Sequence, residues 1–194
     1  ESLLRLILRA MSSAREQQGV MEIYEKVLQP LIKKKKYDRV ISIAKEKLSP
    51  LGDDGAFITG TVFDEVGRTQ EALDRMQELS NKHPDNMKYI NEVGRLLLKL
   101  GDFEKAQLAY ETADKAAPAN LERIAQMAEM YLKLKAPERT VDKYREIIDL
   151  NPDKPDMKYD MYQRLIDAGF EGYAQDFCKE TSTPRELVRY FNNK

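Results

Sequence analysis

Small and large apolar residues recur along this chain at an interval of 34 residues. Small residues stand at one position of the interval (Gly60, Gly94, Ala128), small or short residues at a second (Ala72, Ala106, Thr140), and large residues at a third (Phe63, Leu97, Tyr131, Leu165). Apolar residues at spacings of three and four between these positions predict amphipathic helices. A small residue on each of two helices lets their backbones approach closely. Each interval therefore predicts one pair of packed helices.

Glycine and proline mark where these helices end. Gly67 and Gly101 supply the left-handed backbone conformation that ends the first helix of a pair. Pro84, Pro118 and Pro152 end or follow the second helix, because proline cannot continue its hydrogen-bond ladder. The chain is thus predicted to be a series of helical hairpins.

This pattern resembles that of the tetratricopeptide repeat (TPR) family. In the best copy, residues 87–120, the family's positions are held by Ile90, Val93, Gly94, Leu97, Ala106, Tyr110, Ala113 and Pro118. In the following copy Lys135-Ala136-Pro137 stands in place of the usual Gly-Asp turn. The resemblance implies an all-α fold, an α-solenoid of about five TPR hairpins that forms a right-handed superhelix.

The resemblance also divides the chain into segments. The five repeats span residues 21–52, 53–86, 87–120, 121–154 and 155–182. Residues 1–20 carry a helical pattern with several arginines, and we expect a linker or capping helix there. Residues 183–194 open with a capping box and proline, and predict the start of a further helix, a truncated repeat. We therefore expect the sequence to belong to a longer protein, with a bacterial signalling protein as the hypothesis.

In the TPR family the first helices of successive hairpins line a concave groove that binds a partner. Transferred residue by residue, the resemblance places that groove at Phe57, Thr61, Asp64, Lys88, Asn91, Arg95, Lys99, Ala125, Glu129 and Lys133. Some family members bind a C-terminal carboxylate through Lys, Asn and Arg side chains, and Asn91 with Arg95 would supply half of that set. Glu25 and Gln29 stand where the remaining Lys and Asn are required, so we expect no carboxylate clamp. A salt-bridged role for Arg95 is the alternative interpretation.

The charge balance narrows the class of partner, and the cysteine content indicates the cellular compartment. Lys and Arg (32) nearly balance Asp and Glu (33), and this net charge of -1 counts against nucleic acid and anionic membranes as partners. A period of 34 rather than 35 counts against a pentatricopeptide RNA binder. The basic run Lys33–Lys36 is either a solvated helix end or a patch for nucleic acid or an acidic protein. The single cysteine and the short apolar runs predict a cytoplasmic protein without a membrane span.

The sequence does not present the side-chain sets that catalysis requires. His83, the only histidine, precedes Pro84 in a predicted loop and has no ligand partners at metal-binding spacing. Cys178 falls at a core position of a second helix, which predicts a buried thiol. We therefore expect no enzymatic activity, no metal and no cofactor.

Two hypotheses for function follow. The first is a scaffold that binds a peptide or a partner protein on the concave groove. The second is a self-association module that pairs with copies of itself.

Overall fold

The computed structural model describes residues 17–152 and 154–183, and every regular element in this part of the chain is a helix. The segments predicted before residue 17 and after residue 183 lie outside the described residues. The helices are α1 (Gln17–Ile23), α2 (Gln29–Lys33), α3 (Tyr37–Ile43), α4 (Gly52–Glu65), α5 (Thr69–Lys82), α6 (Met87–Leu100), α7 (Phe103–Ala116), α8 (Leu121–Lys133), α9 (Pro137–Leu150), α10 (Pro155–Asp167) and α11 (Glu171–Thr181). Short π-helical segments, Tyr24–Leu28 and Ala44–Leu48, follow α1 and α3.

The chain divides into two compact units, Glu1–Ala109 and Tyr110–Lys194, with the boundary inside α7. In unit 1, α4 packs against α5, and α5 against α6. In unit 2, α8 packs against α9, and α10 packs against α11. These pairs confirm the predicted succession of helical hairpins.

The first helix of every hairpin ends in the same backbone turn. The residue at the helix cap (Gly101) or directly after it (the other four) has a positive φ in all five cases: Lys35 (54°), Gly67 (84°), Gly101 (83°), Lys135 (54°) and Gly169 (82°). The next amide N–H donates to the carbonyl five residues earlier, from residues 36, 68, 102, 136 and 170 to Leu31, Phe63, Leu97, Tyr131 and Leu165, at 2.8–3.0 Å. This is the Schellman arrangement, which satisfies carbonyl groups that the helix end leaves unpaired.

Four of the five carbonyl acceptors of these turns belong to the large residues that the sequence places between helices. Phe63, Leu97, Tyr131 and Leu165 are each at most 5% exposed, which confirms their predicted burial. The turn therefore fixes the helix end at the point where a large side chain enters the core.

The lysine-containing turns differ from the glycine turns in sequence but share the left-handed backbone conformation and the closing hydrogen bond. Lys135 adopts the left-handed conformation that Gly101 adopts one repeat earlier. Lys35 does the same in the first hairpin, although it lies only 32 residues before Gly67. The two missing residues come from the second helix and its loop, because that helix runs over residues 37–48 in the first hairpin and over 69–82 in the next.

Gly60 lies where the two helices of its hairpin approach closely, and an added Cβ atom would displace the flexible end of the Met76 side chain. A Cβ atom built on Gly60 would lie 2.6 Å from the Met76 Cε atom and 3.6 Å from the Ala72 carbonyl oxygen. Unit 2 has its own apolar core, in which Ala128 occupies the equivalent position and Cys178 is buried at 1% exposure. The prediction of a buried Cys178 thiol is confirmed.

Second helices end two residues before the repeated prolines. Helices α5, α7 and α9 end at Lys82, Ala116 and Leu150. Two of the next helices begin with an asparagine cap, since Asn86 Oδ1 accepts from the Lys88 amide (3.1 Å) and Asn120 Oδ1 accepts from the Arg123 amide (2.9 Å). Proline and asparagine together set the loop that joins one hairpin to the next.

Replacing Lys135 with glycine is expected to raise the free energy of unfolding by up to about 1 kcal/mol, because glycine adopts a positive φ without steric cost. The reciprocal change, Gly169→Lys, should lower it by about the same amount. Its Cβ would meet no atom within 4 Å, so only the backbone conformation opposes it. Urea unfolding followed by circular dichroism measures both changes. Shifts of the same sign in the two variants would contradict this account of the turns.

Candidate functional site

The predicted groove residues of unit 1 include a charged cluster centred on Asp64. This carboxylate is only 8% exposed. It accepts hydrogen bonds from Lys99 Nζ (2.7 Å), Arg95 Nη2 (2.8 Å) and Thr69 Oγ1 (2.9 Å). Arg95 also donates to both carboxylate oxygens of Glu92, at 2.9 and 2.6 Å. The two cations thus bind carboxylates of the same unit, which matches the salt-bridged alternative for Arg95.

The Asp64 carboxyl is held in its charged form. Burial by itself would raise its pKa, but the hydrogen bonds from Lys99, Arg95 and Thr69 outweigh that effect and lower the pKa below its ordinary value. The cluster links α4 to α6 through charge-assisted hydrogen bonds, which are stronger than neutral ones.

Other predicted groove residues of unit 1 contact their own neighbours. Lys88 Nζ lies 3.8 Å from the centre of the Phe57 ring, a cation–π contact between α4 and α6. The Thr61 hydroxyl donates to the Phe57 carbonyl at 3.2 Å. Asn91 is half-buried, one helical turn before Arg95.

A second polar cluster in unit 1 joins the first hairpin to the end of α4. Tyr24 donates to the Glu65 carboxylate, and Gln29 Nε2 donates to the Tyr24 hydroxyl at 2.6 Å. Burial and the bond to Glu65 raise the pKa of Tyr24 to about 12. The Gln29 side chain also donates to the Glu65 carboxylate at 3.4 Å, so these side chains bond across hairpins within unit 1.

Unit 2 contains an open groove with a cavity volume of about 400 Å³. One wall is α8 and the other is α10, and the floor is formed by α9 together with Met161 of α10. The lining residues are Leu121, Glu122, Ala125, Gln126, Glu129, Tyr144, Ile147, Met157, Asp160, Met161 and Arg164. We call this the α8–α10 groove.

Helical spacing explains how two walls of the groove present these side chains. On α8 the lining residues lie at positions 121, 122, 125, 126 and 129, and on α10 at positions 157, 160, 161 and 164. Both sets follow spacings of three and four, so each occupies one helix face. The face of α8 contains Ala125 and Glu129, two of the residues that the TPR resemblance assigned to a groove.

The floor of the groove is apolar and its rim is charged. Tyr144, Ile147 and Met161 are each at most 6% exposed and form the floor. Burial raises the pKa of Tyr144, so its phenol is a neutral hydrogen-bond donor at physiological pH. The rim carries the carboxylates of Glu122, Glu129 and Asp160 and the guanidinium of Arg164.

A buried arginine fixes the start of the α8 wall. Arg123 is 1% exposed, and its guanidinium donates to Asp114 Oδ1 from Nη2 (3.0 Å) and from Nε (3.2 Å). It also donates to the Ala117 carbonyl oxygen, and Lys143 Nζ lies 3.7 Å from Asp114. This cluster joins the end of α7 to the first turn of α8 and to α9. It orients the helix on which Glu122 and Ala125 stand.

The structure thus separates the predicted site residues into groups. Asp64, Arg95 and Lys99 meet in the charged cluster, and Phe57 and Lys88 form the cation–π contact. Ala125 and Glu129 line the α8–α10 groove. Lys133 lies beside that groove, 2.9 Å from Glu129. A partner-binding role for these residues stays a prediction.

Sequence reasoning missed the α9 floor and the α10 wall. Tyr144 and Ile147 stand at recurring positions of the second helix, which the register predicts as core. Met157, Asp160 and Arg164 lie one residue beyond the family's groove positions in the fifth repeat. A helical-wheel comparison of α8 with α10 could have found them.

His83 has a carboxylate partner that its sequence neighbourhood does not show. Its Nε2 atom lies 2.6 Å from Asp53 Oδ2, and its ring centre lies 5.9 Å from that of Tyr89. Over residues 17–152 and 154–183, no group of three His, Cys, Asp or Glu side chains is placed to hold a metal ion. In the same part of the chain, none of the helices has the length and apolar character needed to cross a bilayer.

The sequence matches no protein-family model and no curated protein. Its fold, however, is similar to that of several solved structures of MamA. A MamA structure covering residue 41 to the end, from Desulfovibrio magneticus RS-1, is 16% identical, with 89% of this chain and 97% of that chain aligned at a TM-score of 0.64. A crystal structure of MamA protein is 13% identical over 89% and 95% of the two chains, also at 0.64.

A third structure, of MamA from AMB-1, is 12% identical over 90% of this chain and 95% of that chain, at a TM-score of 0.59. MamA is a TPR-like, all-helical protein. The likeness shows that this chain has the all-α solenoid fold of TPR-like hairpins, as the repeat pattern predicts.

Replacing Asp64 with asparagine is expected to lower the free energy of unfolding at pH 7 by about 1–3 kcal/mol, because Arg95 and Lys99 lose a buried charged acceptor. A carboxyl whose pKa is lowered on folding stabilises the fold above its unfolded pKa, near about 4. That stabilisation is lost as the pH falls through the lower folded value. The difference between wild type and Asp64→Asn should therefore shrink between pH 7 and about pH 3.

Urea titrations at several pH values measure this difference. Asp85→Asn, at an exposed carboxylate in the loop after α5, is the control and should change stability by less than about 0.5 kcal/mol. A deficit of Asp64→Asn that stays the same at all pH values would contradict the role given to this carboxylate.

Proposed function

We propose that this chain is a protein-interaction module that binds a segment of a partner protein in the α8–α10 groove. The groove itself carries the proposal: a concave site of about 400 Å³ with an apolar floor and a few charged groups on its rim. This volume and this apolar lining with a few polar groups are within the range of ligand-binding sites in proteins. It lies between the first helices of two successive hairpins, where the TPR resemblance places a ligand.

The charged cluster of unit 1 is less suited to the same task. Arg95 and Lys99 already bind Asp64 at 2.8 and 2.7 Å. A ligand that recruited these cations would have to leave a buried carboxylate without its partners, which is costly. The α8–α10 groove requires no comparable loss, because its apolar floor is open to a ligand.

The module binds without catalysis and without a cofactor. The carboxylates on the rim disfavour a nucleic-acid partner, since they repel phosphates. A cytoplasmic location, inferred from the single cysteine, and a place in a larger signalling protein complete the proposal.

Filling the groove is expected to abolish partner binding. Ala125 is exposed on α8 and lines the groove, so Ala125→Trp adds an indole ring where the ligand would lie while leaving the core unchanged. The matched control is Ala116→Trp, at an exposed alanine in the last turn of α7 that does not line the groove. Quantitative affinity capture from extracts of the source cells should lose the partner at least tenfold with Ala125→Trp only.

Thermal unfolding of both variants tests whether they keep the wild-type fold. Equal capture by wild type, Ala125→Trp and Ala116→Trp would refute the groove as the binding site. Capture of the chain itself would favour the self-association hypothesis instead.

A further inference from the structure

The rim of the α8–α10 groove carries a surplus of negative charge. Its charged lining residues are Glu122, Glu129 and Asp160 against Arg164 alone. Arg164 compensates weakly, because its Nε atom lies 3.9 Å from Asp160 Oδ2 and both side chains are more than half exposed. Lys133 is 2.9 Å from Glu129, again as an exposed pair within one helix.

Two of these carboxylates are well exposed, and of the two only Asp160 has a cation among the pairs described above, the distant Arg164. Glu122 is exposed at the start of α8, and Asp160 has an exposed fraction of 78%. Glu122 and Glu129 are separated by two helical turns, about 10 Å along α8. The carboxylates therefore line both walls, with apolar side chains between them.

The floor between the walls accepts apolar side chains of varied shape. Met157 and Met161 project from α10 beside Tyr144 and Ile147. Methionine is unbranched and polarisable, so it adapts to different apolar partners. The groove thus combines an adaptable apolar floor with an anionic rim on both sides.

We propose that the occupant of the α8–α10 groove is a partner segment that alternates apolar side chains with lysine or arginine. The apolar side chains pack on Tyr144, Ile147 and Met161, and the cations pair with Glu122 on one wall and Asp160 on the other. This inference rests on the proposed function of the groove and adds the chemical class of its ligand. It is the reverse of a carboxylate clamp, because the protein supplies the anions.

A random peptide library displayed on phage tests the proposal without assuming a conformation for the ligand. Wild-type protein and Ala125→Trp are panned in parallel at low salt, and only sequences that require an open groove are counted. The expected result is an enrichment of lysine and arginine over aspartate and glutamate relative to the input library. Apolar residues should be enriched beside them.

The best groove-dependent peptide is then measured by fluorescence anisotropy. Neutralising the rim with Glu122→Gln and Asp160→Asn together should raise its Kd roughly fivefold at low salt, and by less at high salt, because exposed ion pairs are screened. The matched control is Asp149→Asn with Glu171→Gln, which removes two exposed carboxylates outside the groove and changes the net charge equally. This control should leave the Kd unchanged.

The outcomes separate this inference from the proposed function. Groove-dependent peptides of neutral or acidic composition would overturn the inference and leave the groove as a binding site. Peptides that bind Ala125→Trp as well as wild type would overturn both. An equal loss of affinity in the control pair would also overturn the inference, since it would show attraction to net charge alone. Concentration-dependent dimerisation that Ala125→Trp abolishes would assign the groove to a second copy of the chain.

Discussion

The left-handed residue that closes each hairpin is the constraint on which the rest of the structure depends. It ends the first helix at a fixed point, and the Schellman bond ties that end to the carbonyl of a large buried residue such as Phe63 or Tyr131. The side chain of that residue then enters the core between helices. Because this turn recurs with the repeat, successive first helices present their remaining faces in the same register. The turn does not determine which surface residues stand on those faces, so these residues differ from one repeat to the next.

Equivalent surface positions consequently serve different purposes in the two units. Arg95 and Glu129 are one repeat apart in sequence, yet Arg95 binds the buried Asp64 while Glu129 stands on the rim of an open groove. The sequence counterpart of Asp64 one repeat later is Leu98. A buried carboxylate keeps its charge only with partners close by, so Asp64 fixes the roles of both Arg95 and Lys99. The repeat register determines where a residue lies on the helix. The contacts of that residue with the neighbouring hairpin determine what it binds.

The buried polar groups were the least predictable part of the molecule from the sequence. Arg123 occupies an ordinary first-turn position of α8, and nothing in its spacing predicts 1% exposure. Its burial becomes possible because Asp114 and the Ala117 carbonyl, from the end of α7, accept its hydrogen bonds. The partly exposed pair of His83 and Asp53 was also not predicted, and it joins residues 30 positions apart. Such pairs depend on how helices stack, which a repeat pattern alone does not specify.

The sequence by itself determined the hairpin period, the helix ends, the buried residues at the small and large positions, and the helix face that carries Ala125 and Glu129. These features are local, because they follow from helical spacing and from what glycine and proline permit. Only the tertiary structure decided that Lys35 and Lys135 close their turns as glycine does, and that the cations at 95 and 99 bind a carboxylate of their own unit. It also decided which side chains of α9 and α10 complete the groove, because a groove forms where separate helices meet and its walls need not be adjacent in sequence.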